Sequence, residues 1–307
     1  VREIKKSEEA SLKLKQLMIG IVTLSVGCVS VLSAQPTLVT ETVSMGEAKS
    51  VSVELRPTYR VDLWKVTDTS TEYTDTVMRT DLNARWVPVE KWEVLLEVPH
   101  VSDKLKTEVG TASSDEKDSG IGQVILGGKW AFCPKGLFAG TLRVELPTAD
   151  QDKLLGEGLN IGLGLAGEKA LGPVMMYANA GYLVKQEYKT TFDTPGAAKT
   201  KEDPGDIVQL NAALSYPRWG LDWVGEVNAN IVGREKDDAT GSMKEVDGSA
   251  GTAVDLVLGV HKMFNESWSV KGGVAWGVGD EKIRTVDMLR GAGDYKVILA
   301  GDYRFNY

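Results

Sequence analysis

The sequence predicts an all-β fold: a twelve-stranded antiparallel transmembrane β-barrel of the bacterial outer membrane. Three observations carry that prediction. Beyond about residue 50 hydrophobicity alternates with period two rather than 3.6, long and short connections alternate strictly along the chain, and aromatic residues gather beside the short connections.

In chain order, the first element is an export segment. Arg2, Lys5, Lys6, Lys13 and Lys15 precede an uncharged run from Leu17 to Ala34, and small residues lead into Gln35. A basic flank, an apolar stretch and small residues make residues 1–34 a signal peptide. The stretch before Ser11 is longer than such a flank needs and reads as an overlong start. A retained anchor helix and a lipoprotein on Cys28 are the alternatives; Ser25-Val26-Gly27 lacks the Leu expected three residues before a lipidated cysteine. Residues 35–49 form a periplasmic tail with room to fold into the barrel mouth, and 50–307 form the barrel.

In Ser50–Val66, one face reads Val51, Val53, Leu55, Pro57, Tyr59, Val61, Leu63, and the other carries Glu54, Arg56, Arg60 and Asp62. Val77–Val87 repeats this, with Met78, Leu82, Ala84 and Trp86 against Arg79, Asp81, Asn83 and Arg85. Further segments lie near 92–101, 121–132, 137–148, 158–169, 174–185, 206–216, 221–232, 252–264, 268–278 and 294–307. Short connections fall at Pro88–Lys91, Cys133–Gly136, Ala170–Pro173, Pro217–Gly220 and Asn265–Ser267. Long ones fall near 67–73, 102–120, 149–157, 186–205, 233–251 and 279–293. Short periplasmic turns and longer external loops are the barrel pattern, which puts both ends of the chain in the periplasm. Trp86, Trp92, Trp130, Phe132, Phe138, Tyr216, Trp223, Phe264 and Trp268 flank the short turns, and a sparser set (Tyr59, Tyr73, Tyr182, Trp276, Tyr295) lies toward the long loops. Amphipathic rings concentrate where bilayer meets water. The last strand alternates Tyr303, Phe305 and Tyr307, the pattern of an assembly signal read by the barrel-assembly machinery.

Composition narrows the function classes. Thirty-five basic against 43 acidic residues give a net charge of −8, which argues against nucleic-acid binding. Two Cys and two His supply neither a zinc site nor a disulfide framework, and no cofactor is expected. The glycines around Gly162, Gly164 and Gly167 precede no helix and make no nucleotide motif.

The block Gly120-Ile-Gly-Gln-Val-Ile-Leu-Gly-Gly-Lys-Trp-Ala-Phe132, then Glu145-Leu-Pro-Thr148, Leu155-Gly-Glu-Gly158 and the Gly-alternating strand Leu159–Gly167 resemble the outer-membrane family of the MetA pathway of phenol degradation. The resemblance covers residues 90–190 well, with Gln123 where the family pattern has an acidic residue. It implies a transporter for small organic compounds, aromatic ones included, and passage rather than catalysis.

If apolar positions face lipid, the alternate ones face the lumen. Arg56, Arg60, Arg79, Asp81, Glu97, Lys129, Arg143, Glu145, Glu226 and Asp255, with Asn179 and Asn228, are the candidate pore-lining residues. Two readings stand side by side. One is an ion-paired, filled interior, in which Arg56, Arg60 and Arg79 pair with Asp81 and neighbouring Glu. The other is a water-filled pore with a transverse field, basic on the first two strands and acidic at Glu226 and Asp255.

The expected partners are outer-membrane lipid and lipopolysaccharide, the assembly machinery and a small organic solute. The competing function is a non-conducting structural or surface-interaction barrel. A distant third is a phospholipase-like enzyme using His100 and Ser102, for which no third, orienting group is evident. His261 reads as an interior histidine, Cys133 as a lone turn residue, and the acid-rich stretches Asp115–Asp118, Lys201–Asp203 and Glu235–Asp238 as solvated loop tips.

Overall fold

The computed structural model describes residues 39–40, 42–43, 45, 47–65, 71–109, 112–132, 137–149, 158–190, 200–234, 236–237, 244–245, 250–279 and 295–306. The expected signal peptide, Cys28, Cys133, Glu235, Asp238, Tyr307 and the side chain of Tyr73 lie outside them.

The strands are β1 (Ser50–Lys65), β2 (Thr71–Val89), β3 (Trp92–Val109), β4 (Ala112–Ile121), β5 (Ile125–Ala131), β6 (Phe138–Glu145), β7 (Asn160–Leu171), β8 (Val174–Lys185), β9 (Tyr188–Thr190), β10 (Thr200–Asp203), β11 (Ile207–Arg218), β12 (Leu221–Val232), β13 (Lys236–Asp237), β14 (Lys244–Glu245), β15 (Gly251–Met263), β16 (Trp268–Gly279) and β17 (Tyr295–Asn306). Thirteen of them form one antiparallel sheet, in which β4 and β5 are successive segments pairing with the same strand β3, so the barrel has twelve staves. The sheet closes where β1 pairs with β17, from Ser50↔Asn306 to Val61↔Tyr295. Closure pairs the first stave with the last, as backbone in lipid requires.

Burial is inverted relative to a protein that folds in water. Leu55, Leu82, Leu126, Leu142, Leu163 (65%), Leu214, Leu258 and Leu299 are exposed on the outer face, whereas Glu54, Asp81, Asn83, Glu97, Glu145, Asn160 and Glu226 are buried inside. A continuous exposed apolar belt of this kind is a lipid-facing surface. Its short-turn edge is rimmed by ring contacts. Trp92 stacks on Trp130 at 5.7 Å, Trp130 meets Phe132 at 5.8 Å, and Trp268 meets Tyr303 at 4.7 Å. Tyr59, Tyr182, Trp276 and Tyr295 are exposed near the opposite edge.

Turn chemistry sets the hairpins. Trp219 and Gly220 both take positive φ (56° and 73°) between the paired residues Arg218 and Leu221, a two-residue turn whose twist matches its strands. The Arg218 guanidinium lies 4.8 Å from the Trp219 ring, covering the exposed indole. Gly172 (φ 62°) starts the β7–β8 turn ahead of Pro173.

The stave of β4 and β5 breaks at residues 122–124, and the blocks that carry the family resemblance meet there. Gln123 Nε2 donates to the Gly158 carbonyl at 2.7 Å. Thr148 Oγ1 accepts from Val124 N (2.8 Å) and donates to Gly122 O (3.0 Å). Asn160 Nδ2 donates to the buried Glu145 at 2.9 Å. Four separated stretches of sequence therefore splice one broken stave to its neighbours.

Three expected loops differ from the sequence reading. Residues 102–120 are largely strand: β3 runs on to Val109 and pairs with β4 from Val109↔Ala112 down to His100↔Ile121. Beyond the bilayer both faces are wet, so a hairpin there carries no apolar alternation, and the sequence signal for strand vanishes. Lys104 and Asp115 form an ion pair (2.8 Å) on it. Residues 186–205 and 233–251 contain β9, β10, β13 and β14, a separate four-stranded sheet.

Candidate functional site

The candidate site is the lumen, and its floor is the tail. Glu226 on β12 accepts hydrogen bonds from Val39 N (3.1 Å), Thr40 N (2.8 Å) and Thr40 Oγ1 (2.9 Å). Lys129 on β5 donates to the Thr42 carbonyl at 3.2 Å, and Val43 N donates to Glu168 on β7 at 3.0 Å. The Val43 side chain is buried in a cup of Ala131, Ala139 and Ala166 with Met45 beside it. Since β12 and β5 stand five staves apart in a ring of twelve, Val39 and Thr40 are held at one wall and Thr42 and Val43 at a nearly opposite one. The sequence allowed the tail to enter the mouth; the structure makes it a strap across the short-turn half.

Above the strap lies a cavity of about 380 Å³, lined by Val39 and Thr40 below and by alternate residues of the staves around it. One wall is ionic. Arg56 meets Asp81 at 3.1 Å, and Arg79 meets Asp81 and Glu97, each at 2.6 Å. Arg60 meets Asp75 at 3.0 Å, Arg143 meets Glu145 at 2.6 Å, and Lys296 meets Asp255 at 2.6 Å. In two of these pairs the base is much the more exposed partner: Arg56 is 24% exposed against 3% for Asp81, and Arg143 34% against none for Glu145. A solute therefore meets guanidinium edges backed by carboxylates.

The diametrically opposite wall is neutral. Register places Asn179 beside Asn211 and Asn211 beside Asn228, with Gln209 beside Asn230 in the next row. Gly162 and Gly164 on β7 and Gly181 on β8 alternate with the Asn179 and Leu183 side chains of β8 along this wall. A Cβ on Gly164 would meet Thr141 Oγ1 at 2.6 Å, so glycine is needed there for packing as well as for width.

Of the residues expected to line a pore, Arg56, Arg60, Arg79, Asp81, Glu97, Lys129, Arg143 and Asp255 border the cavity. Glu145 is buried behind Arg143 and Asn160, and Glu226 is buried beneath the strap. The transverse field takes a different form from the expected one. The acids that answer Arg56 and Arg79 stand on their own wall, while Glu226 holds the strap and Asp255 holds Lys296.

The sequence reading passed over Lys271, Lys296, Gln209, Asn211 and Asn230. The parity of β17, with Lys296, Ile298, Ala300 and Asp302 turned inward, was the available signal for Lys296. Lower down, Lys271 meets Glu54 at 3.0 Å, and buried His261 meets Asp222 at 3.0 Å through Nδ1. His100 and Ser102 are exposed on the outer face of β3. Tyr303 and Phe305 are exposed on the outer face of β17.

Among solved structures, the chain resembles the COG4313 outer membrane channel from Pseudomonas putida F1, with a TM-score of 0.60 and 13% identity, over 85% of this chain and 97% of that one. It also resembles the transport unit of the autotransporter AIDA-I from Escherichia coli, with a TM-score of 0.51 and 13% identity, over 84% and 91%. At such identity the likeness is one of fold. The search of curated proteins finds no significant match. The model of the family described as "Putative MetA-pathway of phenol degradation" matches residues 65–284, more than two thirds of the sequence, and the chain belongs to that family.

Proposed function

We propose that the protein is an outer-membrane channel for passive passage of small organic solutes, aromatic compounds among them. The observation that carries this is the polar cavity inside a closed barrel, with guanidinium edges on one wall and amides and glycines on the other. Such a lumen orients dipolar and anionic solutes and needs no catalytic group. The likeness to a solved outer-membrane channel and membership of the family support the same reading. Residues 1–34 act as the export leader. The alternation at Tyr303, Phe305 and Tyr307 serves the assembly machinery, and the aromatic rims meet lipid and lipopolysaccharide.

A closed, non-conducting barrel is the second reading, and the strap across the bore is what favours it. Planar-bilayer recording separates the two. Discrete channels, with solute entry in liposome swelling, support passage. Silence in both assays, from protein whose gel mobility still shifts on boiling, supports the structural barrel.

A further inference from the structure

Among the buried polar atoms with no hydrogen-bond partner in the described residues, two stand on adjacent cavity staves: Asn228 Nδ2, a donor, and Asp255 Oδ1, an acceptor. Register sets them side by side, because Asn228 on β12 pairs with Asp255 on β15. Both residues line the cavity, and Asn228 is 5% exposed. The other carboxylate oxygen of Asp255 is held by Lys296, which fixes the orientation of the free one. An unsatisfied donor beside an unsatisfied acceptor is a costly arrangement in isolation. A hydroxyl group answers both atoms at once, accepting from Asn228 and donating to Asp255. A hydrocarbon answers neither, and a carboxylate would be repelled by Asp255.

Four staves away round the ring stands Arg143 on β6. Its Nε donates to Glu145, and the rest of its guanidinium lines the cavity. That remaining edge offers the parallel N–H pair that receives a carboxylate. Between Arg143 and Asn228 the wall carries glycines on β7 and β8, with Gly162 beside Arg143 and Gly164 beside Gly181 in register, and then the amides of Asn179 and Asn211.

We propose that the lumen binds small carboxylates that also carry a hydroxyl group, with the carboxylate on Arg143 and the hydroxyl between Asn228 and Asp255. This rests on the channel reading for its setting, and it names the solute class. The shared chemistry is that of a hydroxy acid, from either an aromatic ring or a sugar acid. The cavity, at about 380 Å³, is within the range of small-molecule sites.

The test is calorimetric titration of the purified full chain in micelles with 4-hydroxybenzoate, benzoate, 4-methylphenol and gluconate, alongside block of single-channel current by the same compounds. 4-Hydroxybenzoate is expected to bind about tenfold tighter than benzoate or 4-methylphenol, since each of those lacks one of the two polar ends. Asn228→Ala closes the gap between 4-hydroxybenzoate and benzoate. Arg143→Gln weakens both carboxylates about tenfold and leaves 4-methylphenol unchanged. Gluconate binding in preference to 4-hydroxybenzoate would make sugar acids the source. Equal affinity for benzoate and 4-hydroxybenzoate, with gluconate not bound, overturns the proposal, as does an unchanged order in both variants. Channels that conduct without this discrimination sink the proposal alone. Discrimination by calorimetry from an electrically silent barrel would sink the channel reading alone.

Discussion

Val43→Asp tests whether the strap closes the bore. Val43 is buried in the cup of Ala131, Ala139 and Ala166, and its amide is bonded to Glu168. Removing that apolar side chain from its cup forfeits roughly 1.5–3 kcal/mol of burial. A carboxylate in its place has no partner in the alanine cup and stands beside the Glu168 carboxylate, which adds a charge-burial penalty of several kcal/mol more. At about 1.4 kcal/mol per factor of ten, the lost burial alone lowers the ratio of seated to released strap roughly tenfold to a hundredfold. The barrel is spared, because the strap is no part of its closed sheet. The assay is single-channel recording together with gel mobility before and after boiling. A higher conductance or open probability, with mobility still heat-modifiable, is expected. Unchanged conductance from a folded barrel would refute the strap as the obstruction.

Four further outcomes are expected. Arg56→Ala with Arg79→Ala moves the reversal potential in a salt gradient toward cation preference, and it destabilises the barrel by up to about 3–5 kcal/mol per broken pair, because Asp81 and Glu97 lose their partners. Asp81→Asn added to these restores part of that loss in urea unfolding. Gly164→Ala destabilises by roughly 1–3 kcal/mol through the 2.6 Å approach to Thr141 Oγ1, and Thr141→Ala in the same chain relieves most of it. Thr148→Val removes both bonds at the stave break and costs about 1–3 kcal/mol, with faster amide exchange at Val124 as the local readout. In the hairpin beyond the bilayer, burial, and then the neighbouring Asp75 carboxylate, raises the Asp103 carboxyl from 3.8 to about 7. The folded hairpin then holds a proton that the unfolded chain has released. Stability therefore rises as pH falls from about 7 toward 3.8, and Asp103→Asn removes the dependence, read by amide exchange across β3 and β4.

The barrel was legible because lipid outside and polar lumen inside force a period-two pattern on every stave, as Leu82, Ala84 and Trp86 against Asp81, Asn83 and Arg85 show. That constraint ends at the bilayer edge, which is why the β3–β4 hairpin hid among Lys, Glu, Asp and Ser. Parity also assigned most wall residues to the lumen, but parity along one strand carries no information about neighbours in register. Asn228 beside Asp255, or Arg79 between Asp81 and Glu97, becomes visible only once strand order and register are known. The strap was hidden for a related reason. Its grip uses backbone groups of Val39, Thr40, Thr42 and Val43, which every sequence possesses.

Single-channel recording of the full-length protein in planar bilayers, repeated with Val43→Asp, bears most directly on the central claim. Discrete channels are expected from both proteins, larger or longer-lived in the variant, with current blocked by millimolar hydroxy acids. Silence from both, when each still shifts in mobility on boiling, would contradict that claim.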